Sequence, residues 1–202
     1  VCSEDRLPVI VLTGGPGGGK SELLRRLFEH EVLAPLALAL EEAIQSMRGC
    51  GLNPRSAEFQ RLLVQRQMER EEEALRSARA KGKRFLITHR GTLDPCAFWQ
   101  FFGNTRESFF EMTGTTLEDH YRRYDLVLHL ESAAVRVPNA YQRWPLAHRP
   151  EEVEQAARLD ELLGELWGRH LNYIYIPGCP CFEDKMTIAL ECIHRFIGRN
   201  RR

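Results

Sequence analysis

Short apolar runs alternate along the chain with longer amphipathic stretches, and this alternation predicts most of its elements. Pro8-Val9-Ile10-Val11-Leu12 is a continuous apolar run, the pattern of a strand buried on both faces. A strand is predicted at 8–13 and a helix at 20–30, where Leu23, Leu24, Leu27 and Phe28 recur with helical spacing. Residues 32–40 read two ways. They form a strand interrupted at Pro35, or they open a helix, since Ala and Leu favour one. The strand ending near Leu40 is preferred, followed by a helix over 41–49 that stops at Gly49-Cys50-Gly51. Asn53-Pro54 predicts the N-cap and first residue of a helix reaching Ala80. Its stripe of Phe59, Leu62 and Leu63 gives way to Arg66 and Arg70 on the same side.

Further along, Arg84–Thr88 reads as a third strand and 94–102 as a helix carrying Phe98, Trp99, Phe101 and Phe102. Thr115-Thr116-Leu117-Glu118 reads as a capping box for a helix through Tyr124. Asp125–Leu130 is the fourth strand, and 132–149 is irregular. Pro150-Glu151-Glu152 starts a helix to Arg169, with Pro at its first position and acids in its first turn. Tyr173–Ile176 and 182–198 close the chain as strand and helix. Strands alternating with helices predict an α/β fold, a three-layer sandwich in which helices cover both faces of a five-stranded parallel sheet. No repeat, low-complexity stretch or linker divides the 202 residues, so one domain over 1–202 is expected, with a lid-like segment at 132–149.

Charge narrows the function. Lys plus Arg and Asp plus Glu both number 28, so the formal net charge is zero, which argues against a general nucleic-acid binder. The basic end, Arg195, Arg199, Arg201 and Arg202, reads as a solvated helix terminus, with a lipid or RNA contact as the alternative. No apolar stretch reaches the roughly 18 residues of a membrane span. Val1-Cys2-Ser3-Glu4-Asp5-Arg6 has no signal-peptide core, and the missing initial methionine reads as a trimmed chain or a piece of something longer.

The chemistry is concentrated in Gly14-Gly15-Pro16-Gly17-Gly18-Gly19-Lys20-Ser21, a complete G-x-x-x-x-G-K-[ST] loop between a predicted strand and a predicted helix. Five of its eight residues are glycine, so the backbone can turn its N–H groups inward with no Cβ in the way. The loop ends at a helix N-terminus, which favours phosphate. Lys20 would reach the β- and γ-phosphates of ATP or GTP, and the Ser21 hydroxyl would ligate Mg²⁺. A nucleotide site and scattered cysteines at 2, 50, 96, 179, 181 and 192 suggest a reducing, cytoplasmic setting. Cys179-Pro180-Cys181 reads as loop chemistry near a bound base, with a metal or redox role as the lesser alternative.

Ligands of such sheets lie beyond the C-terminal strand ends. Those ends carry Glu41-Glu42-Ala43, His89-Arg90-Gly91-Thr92-Leu93-Asp94, Glu131-Ser132 and Gly178-Cys179-Pro180-Cys181-Phe182. With Leu12-Thr13-Gly14-Gly15-Pro16, Gly19-Lys20-Ser21, Glu42-Ala43, Arg90-Gly91-Thr92-Leu93-Asp94, Tyr124-Asp125, Arg149-Pro150-Glu151-Glu152, Leu159-Asp160, Trp167, His170 and Phe182-Glu183-Asp184-Lys185, the chain resembles a P-loop ATPase domain over most of its length. That domain is shared by the kinase half of bacterial NadR (nicotinamide ribosyl kinase) and the fly TRPL-translocation-defect protein. The resemblance implies a nucleoside-kinase-like fold that binds ATP or GTP. Some relatives phosphorylate a small nucleoside; others use nucleotide binding in regulation or trafficking.

The chain departs from that pattern at His89, where the family usually carries an acid. The acid would help to hold the Mg²⁺ water shell or accept the substrate hydroxyl proton, and imidazole is a poor partner for hard Mg²⁺. Three readings stay open: catalysis is weakened while binding is kept, His89 is itself the base, or Glu42 or Asp94 replaces the acid. Glu42 would orient an acceptor hydroxyl or belong to a solvated helix start. Asp94 would touch substrate or act as an N-cap. Arg90 would clamp phosphate or form a surface ion pair. Arg136, Arg143 and Arg149 lie in the lid-like stretch, where a cation arriving on closure would stabilise transferring phosphate. Gly178 and Cys179 would help to cradle the nucleobase, while Trp144 and Trp167 read as core or lid packing before base stacking. Two functions follow: a Mg²⁺-dependent NTPase or kinase with a small nucleoside-like acceptor, or a nucleotide-binding switch with little turnover and a protein or lipid partner.

Overall fold

The computed structural model describes residues 6–40, 44, 47, 50–143, 151–179 and 181–199, with Gln142 and Arg143 described in backbone only. Its centre is a sheet of five parallel strands: β1 Val9–Thr13, β2 Ala37–Leu40, β3 Phe85–His89, β4 Leu126–Leu130 and β5 Tyr173–Ile176. They lie in the order β2-β3-β1-β4-β5. β1 is therefore central, pairing Leu12 with His89 on one side and with Leu128 on the other.

The two-residue period of each strand divides the apolar residues between two cores. Val9, Val11, Leu86 and Val127 face one layer, where they meet Val64 of α2 (Ala57–Ala80), Ala97 of α3 (Asp94–Phe101) and Leu163 and Trp167 of α8 (Val153–Trp167). Ile10, Leu12, Phe85, Ile87 and Leu128 face the other, against Leu23 and Leu27 of α1 (Lys20–Glu29) and Ala189 and Ile193 of α9 (Phe182–Arg199). Each aliphatic side chain so buried contributes roughly 1.5–3 kcal/mol. The remaining helices are short: α4 Arg106–Thr113, α5 Leu117–Tyr121, α6 Ala133–Arg136 and α7 Pro138–Arg143. Among the described residues no helix is long and apolar enough to cross a membrane.

Several boundaries differ from expectation for local reasons. Pro35 lies in a 3-10 turn, Ala34–Leu36, that precedes β2 and does not interrupt it. The cap of α2 is Ser56, which accepts the Phe59 N–H, while Asn53 forms a separate turn by accepting the Arg55 N–H at 2.9 Å. The buried residues of α2 are Phe59, Gln60, Val64, Gln67, Glu71, Ala74 and Ala78, so the predicted Phe59 is buried and polar residues continue the stripe where Leu62 and Leu63 do not. The capping box of α5 pairs Thr116 with Asp119, one residue later than predicted, and the helix ends at Tyr121. α8 begins at Val153 with Glu152 as its cap. α4 was not foreseen; its Thr105 cap and Gly114 stop are both ordinary signals. Residues 133–143 are largely helical where irregular chain was expected. The predicted helix over 41–49 lies mostly outside the described residues.

Candidate functional site

The chain leaves the end of β1 directly into the glycine loop. Gly14, Gly17 and Gly19 adopt positive φ of 118°, 79° and 95°, conformations that side chains strain to reach. Close packing fixes the loop as well. A Cβ on Gly18 would stand 2.3 Å from the Leu130 carbonyl oxygen, and one on Gly15 would stand 2.8 Å from that of Ala156. Gly19 then caps α1 with no side-chain hydrogen bond at the cap, so the loop runs directly into a helix N-terminus. Lys20 is buried and lies across the loop, its Nζ donating to Gly14 O at 2.6 Å and Gly15 O at 2.9 Å. The result is a ring of main-chain dipoles with a cation over it, suited to a polyanion.

Three side chains that sequence reading gave no site role brace this loop from the β4 side. Asp160, on α8, accepts the Gly15 N–H at 2.6 Å, the Ser132 N–H at 2.9 Å and His129 Nε2 at 3.1 Å. Burial opposes ionisation of Asp160, but these hydrogen bonds outweigh it and hold the carboxyl below its usual range. The Ser132 hydroxyl donates to Pro16 O. Lys185, in the first turn of α9, donates to Gly18 O at 2.8 Å and Glu131 O at 2.6 Å. Burial pulls its ammonium down to about 8, against the pull of Asp160 and Glu131. A lysine this near the start of a helix opposes the dipole, and in the sequence Lys185 was marked only by its place in the family pattern. The same holds for Asp160.

On the β3 side the metal-ligand candidate Ser21 meets His89, with Oγ 3.1 Å from Nε2. The two candidates do come together, and the group beside the hydroxyl is an imidazole. Arg90 follows with φ of 69°, the one positive value outside glycine among the described residues. Its guanidinium is 3.2 Å from Asp94 Oδ1 and lies over the Phe98 ring. Asp94 is held by four donors. Besides Arg90 it accepts Thr13 Oγ1 at 3.0 Å, the Gly91 N–H at 3.2 Å and Trp167 Nε1 at 3.0 Å. It is 1% exposed, and the N-cap position of α3 belongs to Leu93. Trp167 is fully buried, stacked on Tyr121 and edge-on to Tyr124, which makes it core.

At the end of β5 the Gly178 N–H donates to Glu131 Oε2 at 2.5 Å, so this donor serves Glu131. Glu131 also accepts Arg136 Nε at 2.7 Å and the Tyr175 hydroxyl, which ties the candidate lid cation Arg136 to β4. Cys179 Sγ lies 2.6 Å from Cys181 O, and both thiols are free. Among the described residues no group of three His, Cys, Asp or Glu is placed to hold a metal ion. Glu42, Trp144, Arg149 and the Arg143 side chain lie outside the described residues.

The strand order, with a glycine loop leaving the central strand toward a helix, defines an α/β P-loop domain. The sequence profile of the AAA domain family matches residues 9–180, and the chain belongs to that family. Among solved structures the fold is similar to that of the NadR protein in complex with NAD and AMP-PNP. The TM-score is 0.66 and the identity 15%, over 96% of this chain and 51% of that one. The chain thus spans about half the length of the NadR chain it matches. Comparison with curated protein sequences gives no match.

Proposed function

We propose that the chain binds a magnesium nucleoside triphosphate, ATP or GTP, in the 14–21 loop and transfers or hydrolyses its γ-phosphate. The observation that carries this reading is the loop itself: left-handed glycines, main-chain donors running into a helix N-terminus, and the Lys20 ammonium laid across them. Lys20 neutralises β- and γ-phosphate charge. The Ser21 hydroxyl would help to hold the Mg²⁺ that accompanies the nucleotide, and that ion would supply further neutralisation of phosphate charge. The donor set suits that role at Ser21 and suits it poorly at His89. Phosphoryl transfer needs positioning and charge neutralisation above all. An acceptor oxygen, from a small nucleoside-like molecule or from water, bonds to the γ-phosphorus as the bridging β–γ bond breaks. Its proton passes to His89 or Glu42. Gln60 Oε1 and Thr88 Oγ1 are buried without hydrogen-bond partners among the described residues, and a polar acceptor on the α2 flank of β3 would satisfy them.

His89 beside Ser21 favours a second reading, a switch that holds nucleotide with little turnover and engages a protein or lipid partner. Calorimetry with ATP and with GTP, with and without Mg²⁺, tests the shared premise and sets base preference. Lys20→Ala should weaken triphosphate binding by about tenfold or more, the scale of one lost charge-assisted contact, and leave the circular dichroism spectrum unchanged. Unchanged affinity overturns the site. Multi-turnover phosphate release that Lys20→Ala abolishes supports the enzyme; tight binding without release supports the switch.

A further inference from the structure

The Asp160–His129 pair lies directly behind the phosphate loop, and neither residue has a part in the chemistry above. Asp160 Oδ1 collects N–H groups from three places: Gly15 in the loop, Ser132 at the root of the arginine-bearing stretch, and the His129 ring. A fixed buried carboxylate so close to the loop opposes the arrival of a polyanion. Its removal would release the loop, so it must be balanced in place.

His129 is built to supply that balance. Ionised Asp160 can only accept, so the ring carries its proton on Nε2. The other nitrogen, Nδ1, faces the Tyr173 hydroxyl at 2.8 Å. A hydroxyl donates to the neutral ring or accepts from the charged one, so the ring can gain a proton without losing either hydrogen bond. The surroundings are mixed in sign. Asp160 faces the ring from α8 and Tyr173 and Tyr175 face it from β5, the Tyr175 ring centroid 5.1 Å away. Glu131, two residues along from it, is tied to Arg136 and Tyr175. Lys20 from α1 and Lys185 from α9 bracket the loop.

We propose that His129 and Asp160 form a proton-linked positioning unit, in which triphosphate binding draws a proton onto His129 to offset the charge of Asp160 beneath the loop. The inference rests on the nucleotide-binding reading and adds to it a stoichiometry. Bound polyphosphate favours the charged ring; the charged ring, fixed by Asp160, favours bound polyphosphate. Affinity therefore rises as falling pH supplies that proton.

The test is calorimetry of Mg·ATP binding at about pH 6.5, where Lys185, held at about 8, is already charged. Titrations in PIPES and in Bis-Tris, which both buffer at this pH and differ in heat of ionisation, differ by the protons exchanged with buffer. Wild-type protein should take up a measurable fraction of one proton per nucleotide. His129→Gln keeps an N–H donor toward Asp160 and cannot titrate, so its uptake should fall to that of the nucleotide alone. Wild-type affinity should rise about two- to fivefold more than that of His129→Gln between pH 8 and pH 6.5, the scale expected of one partly protonated group. Binding heats that are equal across buffers in the wild type, or uptake that persists in His129→Gln, overturn the proposal while leaving nucleotide binding intact. Absence of binding in every buffer overturns the nucleotide reading itself. A thermal melt establishes that the variant is folded; should it unfold, His129→Asn read by the same uptake decides the matter.

Discussion

Each flank of the phosphate loop is held by a buried aspartate, and the two aspartates do different work. On the β4 flank, Asp160 reaches the loop backbone itself through the Gly15 N–H, while Lys185 takes the Gly18 carbonyl. On the β3 flank, Asp94 stops one level lower, at the Thr13 hydroxyl and the Gly91 N–H, and the group that faces Ser21 is His89. The anion-holding part of the site is thus braced by full charges on helices, where rigidity is greatest. The part that would meet the metal is left to an imidazole. On the proposed function, holding phosphate and turning it over would be separable, because different flanks would govern them.

The largest effect should come from breaking the β4 flank. Asp160→Ala strands His129 and leaves two buried main-chain N–H groups without acceptors. Loss of one member of such a buried network typically destabilises by ~3–5 kcal/mol, read as a lower midpoint in urea, and triphosphate affinity should fall with it. The pH profile carries the same signature. Hydrogen bonds hold the folded Asp160 carboxyl below the usual aspartate value of 3.8, so its contribution is complete above that value and lost as pH falls through the lowered one. Wild-type stability should therefore drop more steeply below about pH 4 than that of Asp160→Ala. Parallel acid limbs would show that Asp160 is not the ionised brace described.

An intermediate effect is expected on the β3 flank. His89→Asp puts a carboxylate beside the Ser21 hydroxyl, where Mg²⁺ carried by the nucleotide would find an oxygen ligand. If this flank limits turnover, phosphate release should rise about tenfold, which corresponds to ~1.4 kcal/mol at the transition state. A fall in rate would instead make His89 the working base, and the two flanks would then be equally complete.

Much of this was legible in the sequence, and the exceptions have a common cause. The loop, the five strands and the long helices are local patterns: apolar runs, glycine spacing and helical periodicity. The contrast at His89 was also legible, because it sits one position from a strand end. Asp160 was not, since its meaning depends on the register of α8 against a loop roughly 145 positions away. Asp94 was read as a substrate contact or a cap because nothing local reveals that Thr13, Gly91, Arg90 and Trp167 converge on it. The Asn53-Pro54 cap went wrong for a local reason, as Ser56 offered the better acceptor to α2. Pairings across the sheet are set by packing, and packing is not written in any one window.

The smallest prediction is the sharpest for the comparison, because it asks whether the β3 aspartate is scaffold alone. Thr13→Val keeps the shape of a fully buried side chain and removes only the hydroxyl that donates to Asp94 Oδ1. That oxygen keeps Arg90 Nη1, and Oδ2 keeps the Gly91 N–H and Trp167 Nε1, so no charge is orphaned. The loss should be that of a single buried hydrogen bond to a charged acceptor, ~1–2 kcal/mol in urea. Triphosphate affinity should stay within about twofold, a change of ~0.4 kcal/mol, because the hydrogen bonds of Asp94 run to Thr13, Arg90, Gly91 and Trp167, outside the 14–21 segment. A tenfold loss of affinity with little change in stability would place Asp94 among the groups that shape the phosphate site. The two flanks would then differ in reach and not in kind.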